Sequence, residues 1–331
     1  MITVGVFGAG TMGSVHARHA ARMPDMKVKY ICTPHPELGS GLADEIGAQY
    51  VNDAATVLND PAVDLVILAY PTHVRREIIE PALNAGKYVF CEKPFAHAID
   101  EAYRIAELCE QSDTWVSVGM VVRYFWEYKT MYDMLKSESL GRVGTIRTTR
   151  SCSSPRGYNN WFCDYQRSGG VILDLALHDI DFLCWTFGPV KRVYARGMRF
   201  AGVPGQDYAL IVLRFESGEI AHVEGSWIER PNMFYTTIEV ACEHGLIEYD
   251  RRKVNPLVFS PLKKSQDGQI PVVIPEAPTF ESPYETELKA VANAIRTHAP
   301  APVPVKDALP AVEVAFAAMK SIQTKEPVTL S

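Results

Sequence analysis

Asp174, His178 and Asp181 fall at i, i+4 and i+7 in a stretch, Val171 to Trp185, that is apolar on almost every side. At 3.6 residues per turn this spacing predicts one polar stripe on a buried helix, with Asp179 pointing elsewhere. Buried polar groups need partners or a task. An imidazole titrates near neutral pH, so His178 suits a general base or proton relay, with Asp174 orienting the ring or a substrate hydroxyl and Asp181 standing behind them. The alternative is an internal network that only fixes the helix.

A second charged group stands at Glu92-Lys93-Pro94, directly after the apolar run Tyr88 to Cys91. An ammonium there can hydrogen-bond a substrate hydroxyl, stabilise a developing alkoxide or join a proton relay. Its alternative is a solvated lysine paired with Glu92. The third group, Gly8-Ala9-Gly10-Thr11-Met12-Gly13, fits G-x-G-x-x-G and follows a strand-like run into an apolar helix. Gly8 would allow the tight turn, Gly10 the approach of backbone N–H groups to a pyrophosphate, and Gly13 close packing of helix on strand. These residues point to a dinucleotide. About 20 residues on, where a carboxylate would bind the ribose, stands Thr33-Pro34-His35, with neither acid nor Arg or Lys at the strand tip. The expected cofactor is NAD, with NADP left open.

The elements that must position these groups are legible as periodic runs. Ile2 to Phe7, Val28 to Cys32, Leu65 to Ala69, Tyr88 to Cys91 and Val116 to Gly119 are short, continuously apolar and separated by helical stretches. That pattern predicts a doubly wound parallel sheet, whose ligands bind at the strands' carboxyl ends. After residue 120 the texture changes. A helix over 126–136 and a strand over 143–150 precede a polar loop, 151–168; strands follow over 208–215, 220–227, 235–242 and 246–249, then helices over 284–298 and 308–323. The expected fold is α/β: a Rossmann domain, 1–122, and an α+β domain, 123–331, with a large, mostly antiparallel open sheet. The last helix is expected to pack back on the first domain.

Composition sets the outer bounds. With 331 residues, 47% hydrophobic and 22% charged, the chain is globular and long enough for two cores. A net charge of −6 gives no field to attract nucleic acid or an anionic membrane. The N-terminus has no basic leader, and no apolar run reaches the roughly 18 residues a membrane helix needs; the expected location is the cytoplasm. Seven scattered cysteines without a Cys-x-x-Cys pair suggest neither disulfides nor zinc, and no metal is expected.

Taken together, these motifs resemble the Gfo/Idh/MocA family of oxidoreductases over nearly the whole chain. The matching pieces are Gly8 to Gly13 followed by His16, the stretch Tyr70-Pro71-Thr72-His73, Glu92-Lys93-Pro94, Arg123, and Asp174-x-x-x-His178 in its glycine-led helix. The resemblance implies that Lys93, Asp174 and His178 form the catalytic set and that Pro94 follows a cis peptide. It further implies that Tyr70, Pro71, Thr72, His73, Glu92, Arg123 and Tyr284 border the cofactor. By the same likeness, Arg123 and a polar loop with Arg156, Tyr158, Asn160 and Trp161 face the substrate, and a homodimer or homotetramer forms on an open sheet face. The departure from the family pattern is Thr33, in place of a frequent acid, which bears on cofactor choice.

The activity so implied is hydride transfer between a secondary alcohol of a sugar, glycoside or cyclitol and the nicotinamide, in either direction. Two rivals stand beside it: redox-neutral glycoside cleavage through transient oxidation, and a non-catalytic sugar sensor. Intact Lys93, Asp174 and His178 argue against the sensor. Spacing does not name the substrate.

Overall fold

The computed structural model describes residues 1–137, 139–155, 157–200, 205–229, 233–253, 256–261 and 281–330. Its first half alternates strands and helices: β1 (Ile2–Phe7), α1 (Thr11–Arg22), β2 (Met26–Cys32), α2 (Pro36–Ile46), β3 (Gln49–Val51), α3 (Ala54–Leu58), β4 (Leu65–Leu68), α4 (Arg76–Asn84), β5 (Tyr88–Glu92), α5 (Ile99–Glu110) and β6 (Val116–Gly119). The six strands lie parallel in the order β3-β2-β1-β4-β5-β6. Order reverses between β1 and β4, the switch point at which this architecture opens a crevice for ligands. Both strands are almost wholly buried, which explains their unbroken apolar runs.

The second half contains α6 (Trp126–Lys136), β7 (Val143–Cys152), α7 (Tyr165–Ser168), a π-helical turn (Ile172–Ala176) running into α8 (Leu177–Phe187), β8 (Val190–Met198), β9 (Tyr208–Phe215), β10 (Ile220–Ser226), β11 (Phe234–Cys242), β12 (Gly245–Asp250) and β13 (Leu257–Pro261). It ends with α9 (Pro283–Thr297), α10 (Val305–Thr324) and β14 (Val328–Thr329). Eight strands form one open sheet in the order β13-β12-β11-β7-β10-β9-β8-β14, antiparallel throughout except for the pair β7 and β10. Buried and exposed positions alternate along β9 and β11, so one face carries the core.

By contact, the chain divides into two compact units. The first comprises 1–124, 157–161 and, among the described residues, 281–309; the second holds the remainder. A single boundary at 122/123 therefore does not describe the division. The helix that returns to the first unit is α9 rather than the last one. Leu288, Val291 and Ala292, at helical spacing, enter the same buried cluster as Ile2, Val4, Ala17 and Ala20. An ion pair from Arg296 to Asp25 at 2.9 Å lies beside this contact. The chain after α9 covers the open edge of β6: Val118 N–H donates to Val303 O at 2.8 Å, and Val303 N–H to Ser117 Oγ at 3.3 Å.

In the second unit, Gly225 on β10 lets the π turn approach the sheet, since a Cβ there would meet Ala176 Cβ at 3.1 Å. Beside it Arg150 donates to Asp179 at 2.7 and 3.1 Å and to Tyr128 Oη at 2.7 Å, all three side chains buried. Among the described residues, no helix is long and apolar enough to cross a membrane.

Candidate functional site

The glycine loop follows β1. Gly8 has φ +107°, and a Cβ on it would lie 2.9 Å from Ala69 O, while a Cβ on Gly13 would lie 2.0 Å from Gly8 O. Both positions demand glycine for packing and turn geometry. Gly10 differs: nothing lies within 4 Å of its missing Cβ. Gly10 and Thr11 are exposed, no side chain caps α1, and its first turn carries no acid. Ala9 and Met12 complete the loop, with Ser14 Oγ–H donating to Ala9 O at 3.2 Å. An uncapped helix N-terminus of twelve residues, approached through a residue without a side chain, fits a pyrophosphate.

Beside this loop lies the end of β2, joined to it by Gly8 N–H donating to Cys32 O at 2.9 Å. Thr33 is turned inward, 3% exposed, its Oγ1 accepting His35 N–H, whereas Pro34 is exposed. At the end of β4, Tyr70 Oη–H reaches Cys32 O at 3.3 Å, and its ring abuts Gly8. Pro71 is half-buried and Thr72 buried in the 3-10 turn Thr72–Val74. His73 sits edge-on to His97 and lines a depression with Arg76, Glu77, Glu80, Pro81 and Glu101, on the α4 and α5 side.

Lys93 opens the loop after β5 and is the one partly exposed residue between Val89 and Ala96. The Lys93–Pro94 peptide is cis. Arg75, a buried residue that the sequence reading passed over, donates to Tyr70 O at 2.8 Å and to the carbonyls of Glu92 and Pro94. Glu92 accepts the Lys93 backbone N–H at 3.1 Å and bonds His16 Nε2 at 2.7 Å. Burial pushes the Glu92 carboxyl up, but the His16 hydrogen bond and the charges of His16, Lys93 and Arg75 outweigh it and hold the group below the ordinary glutamate value. The carboxylate thus fixes the loop through the Lys93 main chain. Tyr284, at the start of α9, lies edge-on to His16 with centroids 5.9 Å apart, which joins it to the same group. Arg123 is buried and donates to Asp307 O at 3.2 Å.

In the second unit, Asp174 and His178 are the two partly exposed residues between Ser168 and Leu183. The three residues of the expected stripe divide by burial. Asp181 is buried, 1% exposed, and Asp174 lies inside the π turn, whose wider winding breaks the 3.6-residue period. Asp179, read as pointing elsewhere, belongs to the buried Arg150 pair.

Tyr158 also departs from expectation. The segment 157–161 belongs to the first unit, where Tyr158 Oη–H donates to Glu37 at 2.7 Å and its ring meets that of His35 at 4.4 Å. It therefore stands at the loop after β2, the adenosine end of a Rossmann site, and two consecutive left-handed residues, Asn159 and Asn160, follow it. Trp161 is half-buried in the same segment. Arg156 lies outside the described residues. Burial pushes the thiols of Cys32 and Cys91 up to about 11 and about 12, so neither serves as a thiolate at neutral pH. Among the described residues, no cluster of His, Cys, Asp or Glu is placed to hold a metal.

Two family descriptions match successive parts of the chain. Residues 2–120 match the family described as "Oxidoreductase family, NAD-binding Rossmann fold", and residues 128–248 match "GFO/IDH/MocA C-terminal domain". Over 99% of the chain it is 27% identical to oxidoreductase YrbE of Bacillus subtilis (strain 168), covering 96% of that protein. It is 26% identical, again over 99% of the chain, to the myo-inositol 2-dehydrogenase of Thermotoga maritima, covering 98% of it. A levoglucosan dehydrogenase solved with NADH and levoglucosan has the same fold, with a TM-score of 0.90 over 99% of both chains at 21% identity.

Proposed function

Because the chain belongs to the GFO/IDH/MocA family of NAD-binding oxidoreductases, we propose that it moves a hydride between a secondary alcohol of a sugar, glycoside or cyclitol and NAD. Bound at the glycine loop, NAD supplies the hydride acceptor. In the oxidative direction, His178 takes the hydroxyl proton, Lys93 steadies the oxygen through its ammonium, and Asp174 orients the imidazole or a neighbouring hydroxyl.

One observation carries this reading: in two segments that are otherwise buried, the partly exposed residues are Lys93 in one and Asp174 and His178 in the other. A wholly structural network gains nothing from opening its charged members to solvent. The polyol class is supported by the inositol dehydrogenase among the relatives. The seven cysteines all carry free thiols, which suits the cytoplasm. Exposed Leu210, on the face of β9 opposite to its buried residues, favours a homodimer or homotetramer formed on the open sheet, testable by light scattering.

The test is nicotinamide reduction by the purified protein with NAD and NADP separately, across inositols, aldoses, anhydrosugars and simple glycosides. Turnover on a polyol would establish the reaction. Silence across the panel with NAD bound would sink it, and product analysis of the glycosides would then separate redox-neutral cleavage from sensing.

A further inference from the structure

The loop after β2 carries an acid four residues beyond the usual place. Thr33, at the strand tip, points inward: its Cγ2 packs so closely against Gly39 that a Cβ there would approach to 2.6 Å. Its carbonyl accepts Tyr50 Oη–H at 3.1 Å. Asp53, the acid that follows β3, is committed to capping α3, where it accepts the N–H groups of Ala55 and Thr56 at 2.9 and 3.0 Å. Glu37 is different. It occupies the first turn of α2, its side chain is 55% exposed, and it is held by Tyr158 Oη–H at 2.7 Å, a residue 121 positions away in sequence. His35 Nδ1 lies 3.7 Å from the same carboxylate, and the His35 ring packs on Tyr158. The segment from Thr33 to Ser40 contains no Lys or Arg that would welcome a phosphate.

We propose that Glu37, fixed by Tyr158, is the residue that makes this chain select NAD over NADP. The inference rests on the reading that the glycine loop takes a dinucleotide, and it deepens that reading to the ribose end. A carboxylate at the end of β2 can accept a hydrogen bond from a ribose 2′-hydroxyl and repels a 2′-phosphate. The Tyr158 hydrogen bond, a backbone N–H and the nearby His35 hold the Glu37 carboxyl below its ordinary value, so the charge is present at neutral pH. Tyr158 limits the rotamers available to an otherwise exposed glutamate, which keeps that charge in one place. The distant contact explains why the acid is recruited from position 37 rather than from the strand tip.

The experiment is titration of NAD and of NADP, without substrate, into wild type, Glu37→Gln, Glu37→Arg and Tyr158→Phe, read by calorimetry. Wild type is expected to bind NAD more tightly. The preference for NAD should fall by about tenfold in Glu37→Gln, the size of one short-range charge repulsion near a surface. It should reverse in Glu37→Arg and fall by less in Tyr158→Phe. An unchanged ratio in Glu37→Gln, with NAD binding intact, would overturn the role of Glu37 alone. Failure of wild type to bind either dinucleotide would overturn the cofactor reading and this inference with it.

Discussion

Lys93 is fixed through its main chain. Glu92 accepts its N–H, and Arg75 bonds the carbonyls of Glu92 and Pro94 that bracket it. The loop therefore survives loss of the ammonium. Lys93→Met is expected to lower turnover by about a thousandfold while NAD affinity changes less than about twofold, as removal of a charge that acts on the reacting oxygen should. Near-normal kcat would take Lys93 out of the chemistry. Arg75→Met is expected to do the reverse, leaving the ammonium but stripping the buried carbonyls of their donor, at a cost of about 2–4 kcal/mol read from the urea midpoint. Glu92 adds a pH dependence. Its folded-state pKa is lowered, so its contribution is present above the ordinary glutamate value near 4.3 and is lost as pH falls through the folded value. The stability gap between wild type and Glu92→Gln should therefore hold steady down to the ordinary glutamate value, about 4.3, and narrow as pH falls below it; a gap that stays constant there would show that the charge contributes nothing.

The elements divide into those that pack and those that present. Gly13→Ala places a carbon 2.0 Å from Gly8 O and is expected to cost several kcal/mol, on the order of 3 or more, whereas Gly10→Ala meets nothing. Gly10→Ala should leave the melting temperature unchanged and weaken NAD binding at least tenfold. Equal effects of the two substitutions on stability would refute the distinction. Much of this was legible in the sequence. The apolar runs predict β1, β4 and β6 to within a residue, because continuous burial leaves a continuous apolar signature, and 126–136 matches α6, whose buried Tyr128 and Met131 stand at helical spacing. The edge strands β3 and β14 leave no such trace, being three and two residues long, and β8 carries Lys191, Arg192 and Arg196 among its apolar residues. At the site, Lys93, Asp174 and His178 stood out by type. The π turn did not, since its residues are those of any apolar helix, and neither did the partners of Glu37 and Arg75, which depend on contacts far apart in the chain.

For the whole molecule, the first unit is complete only when α9 arrives. Leu288 is fully buried against α1 and β1, so Leu288→Ala is expected to cost about 2–5 kcal/mol. A fragment of residues 1–124 should fail to give a cooperative unfolding transition, and the same fragment joined through a short linker to 281–309 should regain one; equal behaviour of the two would remove α9 from the core. This discontinuity also has a temporal side. About 160 residues separate Tyr124 from the start of α9, and at roughly 5–20 residues per second a ribosome needs on the order of ten to thirty seconds to deliver them. For that interval the apolar surface that Leu288, Val291 and Ala292 later cover stays open, and the first core can close only after α9 has been made.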